Sequence, residues 1–199
     1  MLPTALILDF GEVLVRPQSR TSVETLAALA GLPVEDFSSR YWRHREAYDL
    51  GLSGAEYWQR VLEDPTPPSS HTDQLIRADA ASWTDYRIEM WDLTKAFRAR
   101  GGRTAMLSNG VHEIIAQVRT EKALSEWFDV VVVSCEVGCV KPGKQIYRAC
   151  LAGLNVSAQS ALFVDDRVVN LRAAEEEGLQ TFHFSGEDSV STLRRLLAL

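Results

Sequence analysis

Four stretches of the sequence carry carboxylate, hydroxyl and ammonium side chains at or shortly after short apolar runs. The residues are Asp9 in LILDFGEVL, Ser108, Asn109 and Gly110 in MLSNG, Lys141 in VKPGKQIY, and Asp165 and Asp166 in ALFVDD. A carboxylate at the end of a buried strand loses hydration and needs a charged partner. Together these groups suit the binding of a metal ion and chemistry at a phosphate group.

The chemistry that fits these residue types is phosphoryl transfer supported by a divalent cation. Asp9 and Asp166 can share Mg2+, which prefers hard oxygen ligands such as carboxylates, substrate phosphate and water. The cation would compensate the buried charge of Asp9, and the shielded carboxylate could then attack phosphorus. Ser108 can donate a hydrogen bond to a phosphoryl oxygen, and Lys141 can neutralise the nucleophile and the phosphate together.

Five short apolar runs predict the strands that would hold these groups. Continuous apolar runs are typical of parallel strands, which are buried on both faces. The runs cover residues 5–10, 103–108, 129–134, 161–165 and 180–184. Helical patterns follow the last four, and this alternation predicts an α/β fold with a Rossmann-like open parallel sheet and helices on both faces.

The predicted sheet brings the candidate residues to one edge. In an open α/β sheet, ligands bind beyond the carboxyl ends of the strands, near the point where the strand order reverses. Asp9 ends the first run, Ser108 the second and Asp165 the fourth, while Lys141 follows the third. Each residue alone would be an ordinary turn, cap or surface residue, but their shared position predicts a single site.

A helical insertion is predicted between the first and second strands. This segment carries helix signals without a convincing strand, including the capping-box patterns TSVE at 21–24 and SGAE at 53–56. The sequence DPTPPSS at 64–70 predicts a loop. Two units are therefore expected, a Rossmann-like catalytic core of residues 1–16 and 88–199 and a small helical cap of residues 17–87.

These motifs resemble the haloacid dehalogenase superfamily, in the branch with a small helical cap. LILDFGEVL, MLSNG, VKPGKQIY and ALFVDDRVVNLRAAEEEGL match its four motifs and span the whole core. Within that superfamily the sequence is most similar to bacterial sugar-1-phosphate phosphatases and to the N-terminal phosphatase domain of soluble epoxide hydrolases. The motifs are specific for the superfamily and only weakly specific for the substrate.

The resemblance implies a role for each residue of the predicted site. Asp9 is the implied nucleophile and Lys141 the charge clamp, and a small phosphorylated metabolite is the implied substrate. Phosphate contacts are implied for Ser108, Asn109 and Gly110. The implied ligands of Mg2+ are Asp9, the backbone carbonyl of Gly11 and Asp166, with Asp165 beside the ion or supporting its ligands.

Two positions depart from the pattern of the family. Phosphatases of this superfamily usually carry a second Asp two residues after the nucleophile, as general acid and base, and here that position is Gly11. A glycine can offer its carbonyl to a cation but cannot move protons, and general acid–base help is typically worth about 10²–10⁴ in rate. Glu12 is a candidate substitute. Asn170 stands where many relatives have an Asp.

Three functions are compatible with this motif set. The first is a magnesium-dependent phosphatase that forms an aspartyl-phosphate on Asp9. The second is a 2-haloacid dehalogenase, which needs no acid at Gly11 but typically carries uncharged residues where Asp165 and Asp166 stand. The third is a catalytically weak relative that binds a phosphorylated ligand. The double Asp favours the phosphatase over the dehalogenase.

Substrate selection is expected in the cap, which would close over the site and exclude water. The segment SRYWRHREAYDLG at 39–51 is rich in aromatic and cationic residues. Its helical spacing places Tyr41, Arg45 and Tyr48 on one face. The candidates for contact with the leaving group are Arg43, His44 and Arg45.

The composition limits the partners and the location. The 199 residues are 46% hydrophobic and 24% charged, with a formal charge of −6. No Lys/Arg block predicts nucleic-acid binding, and no apolar run is long enough to cross a bilayer. No secretion signal is recognised and the three cysteines match no common zinc spacing, so a cytoplasmic monomer or homodimer without nucleic-acid or membrane partners is expected.

Overall fold

A five-stranded parallel sheet forms the centre of the protein in the computed structural model, which describes residues 2–199. The strand order is β3-β2-β1-β4-β5, and every neighbouring pair is parallel. The strands are β1 Ala5–Leu8, β2 Arg103–Ser108, β3 Val130–Val133, β4 Ala161–Asp165 and β5 Gln180–His183. The predicted open parallel sheet is confirmed, with each strand inside its predicted run.

Helices cover both faces of the sheet because the strands bury both sets of alternating side chains. In β1, Leu6 and Leu8 pack into one hydrophobic cluster while Ala5 and Ile7 pack into another on the opposite face. The helices of the core are α6 Ile88–Ala99, α7 His112–Glu121, α8 Ser134–Val137, α9 Lys144–Leu154, α10 Val168–Glu176 and α11 Glu187–Leu196. Helices α9 and α10 pack into the cluster that contains Ala5 and Ile7. Helices α6, α7 and α11 pack into the cluster that contains Leu6 and Leu8.

Five helices lie between β1 and α6, where the sequence predicted a helical insertion. They are α1 Arg20–Ala30, α2 Val34–Arg43, α3 Arg45–Asp49, α4 Gly54–Leu62 and α5 Ser69–Ser82. Val15 and Tyr86 form an isolated antiparallel bridge, so the chain enters and leaves this insertion at neighbouring positions. We retain residues 17–87 as the proposed extent of the cap.

Of the two capping boxes and the loop predicted in the insertion, one capping box is present as predicted. The capping box at Ser53 is present, with Ser53 Oγ accepting from the Glu56 N–H and the Glu56 side chain accepting from the Ser53 N–H. The capping box predicted at 21–24 is wrong, because α1 begins earlier and Ser19 caps it by accepting from the Ser22 N–H. The predicted loop at 64–70 is also too long, because α5 already begins at Ser69.

The helices of this protein are short. The longest, α5, has 14 residues. No helix within residues 2–199 combines the length and the apolar character that crossing a bilayer requires.

The strand order places the end of β1 at the reversal point of the sheet. The chain passes from β1 to β2 and β3 on one side, then returns to β4 and β5 on the other side of β1. The N–H of Asp9 donates to the carbonyl of Val164, which continues the ladder with β4 by one residue. Asp9 therefore lies where an open α/β sheet offers its ligand crevice.

Candidate active site

A cavity at the carboxyl edge of the sheet collects most of the predicted site residues. Those that line it are Asp9, Gly11, Arg45, Ser108, Asn109, Gly110, Lys141 and Asp166. Asp165 lies directly beneath, fully buried. The strand ends that were separated by up to 157 positions in sequence thus meet at one place, because neighbouring parallel strands end at the same edge.

Lys141 is clamped between two carboxylates. Its Nζ lies 2.7 Å from Asp9 Oδ1 and 2.8 Å from Asp165 Oδ2, and the residue is only 3% exposed. Burial disfavours the charged ammonium group, but the two carboxylates outweigh this effect and raise the pKa of Lys141 above its ordinary value. Lys141 therefore carries its positive charge directly beside the proposed nucleophile.

Asp9 presents one oxygen to the protein and leaves the other available. Its Oδ1 accepts from the Phe10 N–H at 2.7 Å and from Lys141, which fixes the carboxylate as the cap of the short turn Phe10–Leu14. Burial raises the pKa of Asp9, and the charge of Lys141 opposes that rise. No donor within residues 2–199 bonds to Asp9 Oδ2, so this oxygen can meet a phosphorus atom or a cation.

Asp165 is saturated by hydrogen bonds within the protein. Its two oxygens accept from Lys141 Nζ, from the Arg167 N–H at 2.8 Å and from Asn170 Nδ2 at 3.0 and 3.1 Å. Asp166, in contrast, is half-buried and lines the cavity. Burial, with Asp165 and Glu12 nearby, raises the pKa of Asp166 to about 6. Asp165 thus positions its neighbours, while Asp166 faces the cavity.

The donor set suits a hard divalent cation. Oxygens of Asp9, Asp165 and Asp166 all lie within 4.8 Å of one another, and like charges this close destabilise one another unless a cation compensates them. Because the oxygens of Asp165 are already bonded, Asp9 Oδ2, Asp166 and the Gly11 carbonyl are the groups that could hold the ion. The residues present therefore fit the Mg2+ site that the sequence predicted.

Asn109 holds the loop that carries Lys141. Its Nδ2 donates to the Lys141 carbonyl at 2.9 Å, and its Oδ1 accepts from the Lys141 N–H at 2.8 Å. The amide side chain is therefore occupied, and a phosphate contact from Asn109 would have to come from its backbone. The Gly110 N–H is likewise occupied, since it donates to Ser134 Oγ at 3.0 Å.

We expect Asn109→Ala to lower kcat without removing activity. The change leaves the Lys141 N–H and carbonyl without their partners, which should cost about 1–3 kcal/mol of stability and loosen the ammonium group. Misplacement of this kind can reduce turnover by roughly 10- to 100-fold. Steady-state kinetics and thermal unfolding measure both effects, with the exposed Gln74→Ala as control. Unchanged kcat in Asn109→Ala would contradict the positioning role.

The cap contributes Arg45 to the cavity but not the other two predicted cations. Arg45 is buried, and its Nε lies 3.0 Å from Asp49 Oδ1 while Nη1 donates to Tyr41 Oη. Arg43 is exposed and His44 is half-buried at the break between α2 and α3, and neither lines the cavity. The contacts proposed for Arg43 and His44 with a leaving group stay predictions.

Several lining residues escaped the sequence analysis. They are Phe10, Trp42, Asp49, Trp83, Ile114 and Arg167. The helical spacing placed 41, 45 and 48 on the face of a single helix, but α2 ends at Arg43 and α3 begins at Arg45, so the helical phase changes between them. The richness of segment 39–51 in aromatic residues was a local signal for Trp42.

The position of the missing acid can accept a side chain. Gly11 has φ −61° and ψ 133°, which are ordinary values for any residue, and a Cβ placed there would lie 3.9 Å from the Trp83 ring, an ordinary contact. The unusual backbone belongs to Glu12, which has φ 58° and also lines the cavity. Neither the backbone nor the space at position 11 therefore requires glycine.

The sheet order, the helical insertion and the carboxylates at the strand ends are those expected of a haloacid dehalogenase fold. Residues 3–178 match the family described as haloacid dehalogenase-like hydrolase, and the chain belongs to this family of hydrolases. The expected superfamily membership is confirmed.

Relatives in this family differ in their described activities. Phosphatase MT3486 of Mycobacterium tuberculosis is 24% identical over 205 residues, covering 98% of this chain and 94% of the relative. Phosphoserine phosphatase of Thermus thermophilus is 33% identical over 200 residues, covering 81% and 80%. The chain spans only 24% of rat bifunctional epoxide hydrolase 2, with 33% identity over 135 residues, and 9% of mouse acyl-CoA dehydrogenase family member 10.

Solved structures of the family share the fold at low sequence identity. A HAD family enzyme of Bacteroides thetaiotaomicron has a TM-score of 0.78 and 18% identity, covering 98% of this chain and 100% of that one. The same enzyme in complex with magnesium and inorganic phosphate has a TM-score of 0.76 and 21% identity, covering 92% and 96%. The L-2-haloacid dehalogenase RSc1362 has a TM-score of 0.72 and 17% identity, covering both chains fully. These likenesses show the fold alone.

Proposed function

We propose that this protein is a magnesium-dependent phosphatase that hydrolyses a small phosphorylated metabolite through an aspartyl-phosphate on Asp9. The observation that carries the proposal is the arrangement at the end of β1. Lys141 bonds Asp9 Oδ1, no donor within residues 2–199 bonds Asp9 Oδ2, and oxygens of Asp9 and Asp166 lie within 4.8 Å of each other. A nucleophile with a fixed positive charge on one side and a cation position on the other suits attack on a dianionic phosphate.

The family relatives support this proposal over the alternatives. Two relatives that this chain covers over four fifths or more of their length are described as phosphatases. Thermus thermophilus phosphoserine phosphatase is the second of them, at 80% coverage. The solved complex of the Bacteroides enzyme contains both magnesium and inorganic phosphate. These proteins support phosphate-ester chemistry without naming the substrate of this chain.

The proposed mechanism has two displacements at phosphorus. A carboxylate oxygen of Asp9 attacks the phosphorus atom, and the bond from phosphorus to the leaving oxygen breaks with its electron pair on that oxygen. Ser108, whose buried hydroxyl donates to the Asn109 carbonyl at 3.2 Å in this structure, would turn to donate to a phosphoryl oxygen, and Lys141 would stabilise the charge on the nucleophile and the phosphate. A water molecule then attacks phosphorus, which releases inorganic phosphate and restores the Asp9 carboxylate.

Asp9, Asp166 and the Gly11 carbonyl would hold Mg2+, with Asp165 fixing the surrounding groups. When bound, Mg2+ neutralises phosphate oxygens and reduces the repulsion between a dianionic substrate and the carboxylates. Asp165 keeps Lys141 and the start of α10 in place through its saturated hydrogen bonds. The cap, proposed to span residues 17–87, would exclude water from this site.

Phosphate release and chloride release together test the proposal. The purified protein is assayed with a panel of phosphate esters, with and without Mg2+, and with 2-haloacids for chloride. We expect phosphate release that depends on Mg2+ and no chloride release. Chloride release without phosphate release would support a dehalogenase, and binding of phosphate esters without turnover would support a ligand-binding relative.

Because position 11 is a glycine, we expect the rate to depend steeply on the pKa of the leaving group. Without a proton donor there, esters whose leaving group departs as a weak base should be favoured. Gly11→Asp restores a carboxyl group in a backbone that accepts it, so we expect the slope of log kcat/KM against leaving-group pKa to flatten. The rate on simple alkyl phosphates should rise by roughly tenfold or more.

Gly11→Ala is the matched control, because it adds a side chain without a proton donor. Its slope should equal that of the natural protein. A natural protein that cleaves alkyl esters as fast as aryl esters would show that another group supplies the proton. Glu12, which lines the same cavity, would then be the first residue to replace.

A further inference from the structure

Aromatic and apolar side chains form a wall of the cavity that also contains the proposed nucleophile. Trp42, at the end of α2, lines the cavity and is 57% exposed. Trp83, Phe10 and Ile114 line the same cavity and are largely buried. A large apolar side chain exposed at a concave site marks a surface that binds apolar groups. This wall is where the leaving group of an ester held at Asp9 would lie.

The positive charge of Arg45, which lies on this wall, is already compensated by carboxylates. The Arg45 guanidinium lies 3.0 Å from Asp49 Oδ1 and 3.7 Å from Asp79 Oδ2. It also sits over the rings of Tyr41 and Trp83. An anionic leaving group would therefore find no free charge at Arg45 and would face the Asp49 carboxylate, which also lines the cavity.

A third cation that lines the cavity is Arg167, which is exposed. Arg167 makes no ion pair with any residue of 2–199, and it follows Asp166 directly at the start of α10. Burial raises the pKa of Asp49, and the charges of Arg45, Lys141 and Arg167 oppose that rise, so Arg167 lies within reach of the same wall. Replacing Arg167 therefore tests whether this cation binds the leaving group.

We propose that the preferred substrates are phosphate monoesters with a flat, uncharged, aromatic leaving group that packs against Trp42. This inference rests on the phosphatase function proposed above. Gly11 supports it independently, because an aryloxide leaves without a proton whereas an alkoxide needs one. Aromatic rings bind such a wall through burial of apolar area and through stacking.

A pair of substrates separates binding from leaving-group chemistry. Phenyl phosphate and 4-carboxyphenyl phosphate differ by one carboxylate, which makes the second phenol the slightly better leaving group. If the wall selects uncharged rings, KM should be roughly fivefold higher for the carboxylated ester. An equal or lower KM for that ester would overturn the proposal, and a rise of that KM in Arg167→Ala would then assign the binding of the leaving group to Arg167.

Two variants on the same helix test the role of Trp42. Trp42→Ala should raise KM for 2-naphthyl phosphate by roughly threefold to tenfold, with little change in kcat. KM for acetyl phosphate, which has no ring, should not change. The control is Val34→Ala, an exposed residue of α2 that does not line the cavity. Equal effects of Trp42→Ala on both substrates would overturn the proposal.

A binding measurement separates this inference from the proposed function. Asp9→Asn protein with Mg2+ is titrated calorimetrically with 2-naphthyl phosphate, methyl phosphate and phosphoserine. Tighter binding of the naphthyl ester supports the aromatic wall even if the natural protein shows no turnover, in which case only the proposed function fails. Turnover of acetyl phosphate combined with equal or tighter binding of phosphoserine leaves the function standing and overturns the inference.

Discussion

Asp9→Asn should abolish phosphate release while the protein keeps its fold. An amide oxygen is a poor nucleophile and a weaker cation ligand than a carboxylate, so both proposed roles of Asp9 are lost together. The fold should persist, because an amide oxygen can still accept from the Phe10 N–H and Lys141 keeps its bond of 2.8 Å to Asp165. Turnover should fall to the level of a blank preparation.

The measurement is phosphate release from an activated ester, with thermal unfolding recorded on the same sample. Asp73→Asn is the matched control, because it makes the same chemical change at an exposed position of α5 outside the cavity. Its turnover should equal that of the natural protein. Rapid quenching of the natural protein with substrate should also reveal, by mass spectrometry, a phosphoryl group on the peptide that contains Asp9. Phosphate release by pure Asp9→Asn above the blank would rule out the proposed nucleophile.

Removal of magnesium should stop turnover completely, and its return should restore it. The proposed cation compensates Asp9, Asp165 and Asp166, whose oxygens lie within 4.8 Å of one another. Binding to the folded state alone should also raise the stability by about 2.7 kcal/mol at a concentration 100-fold above Kd. For a chain of this size that corresponds to a rise in Tm of about 5–10 °C.

Two variants show whether the stabilisation arises at this site. Asp166→Asn should lose most of the rise in Tm with Mg2+, because it removes a carboxylate that faces the cavity. Asp73→Asn should keep the full rise. Full turnover in excess EDTA, after prior dialysis, would count against the cation site and favour the dehalogenase alternative. A rise in Tm that is equal in Asp166→Asn would place the ion elsewhere.

The sheet and the residues at its edge could be predicted from the sequence because they depend on short-range patterns. Apolar runs buried on both faces give parallel strands almost regardless of their partners. Once the strands are parallel, the residues that follow them meet at one edge, which is why Asp9, Ser108 and Asp166 were found. Ser53 was also found, because a capping box involves residues only three positions apart.

The detailed roles within the site depended on contacts between distant segments. Sequence spacing could not show that the Asn109 side-chain amide forms hydrogen bonds with the backbone of Lys141, 32 positions away. It could not show that Asp165 is saturated while Asp166 faces the cavity, since both carboxylates belong to the same dipeptide. Asp165 ends β4 and is buried, whereas Asp166 follows the strand and faces the cavity, and only the folded chain determines this difference.

By itself, the sequence determined the parallel sheet, the inserted helices and the family, because apolar periodicity and strand-end motifs are local properties. Only the tertiary structure decided what surrounds the leaving group. Trp42 lies in the insertion, near the end of α2, and lines a cavity together with residues of the core. The charge of Arg45 is likewise compensated by Asp79, 34 positions away on α5. In the proposed function, substrate selection would depend on how the cap packs over the core, and such packing is set by long-range contacts that no local pattern encodes.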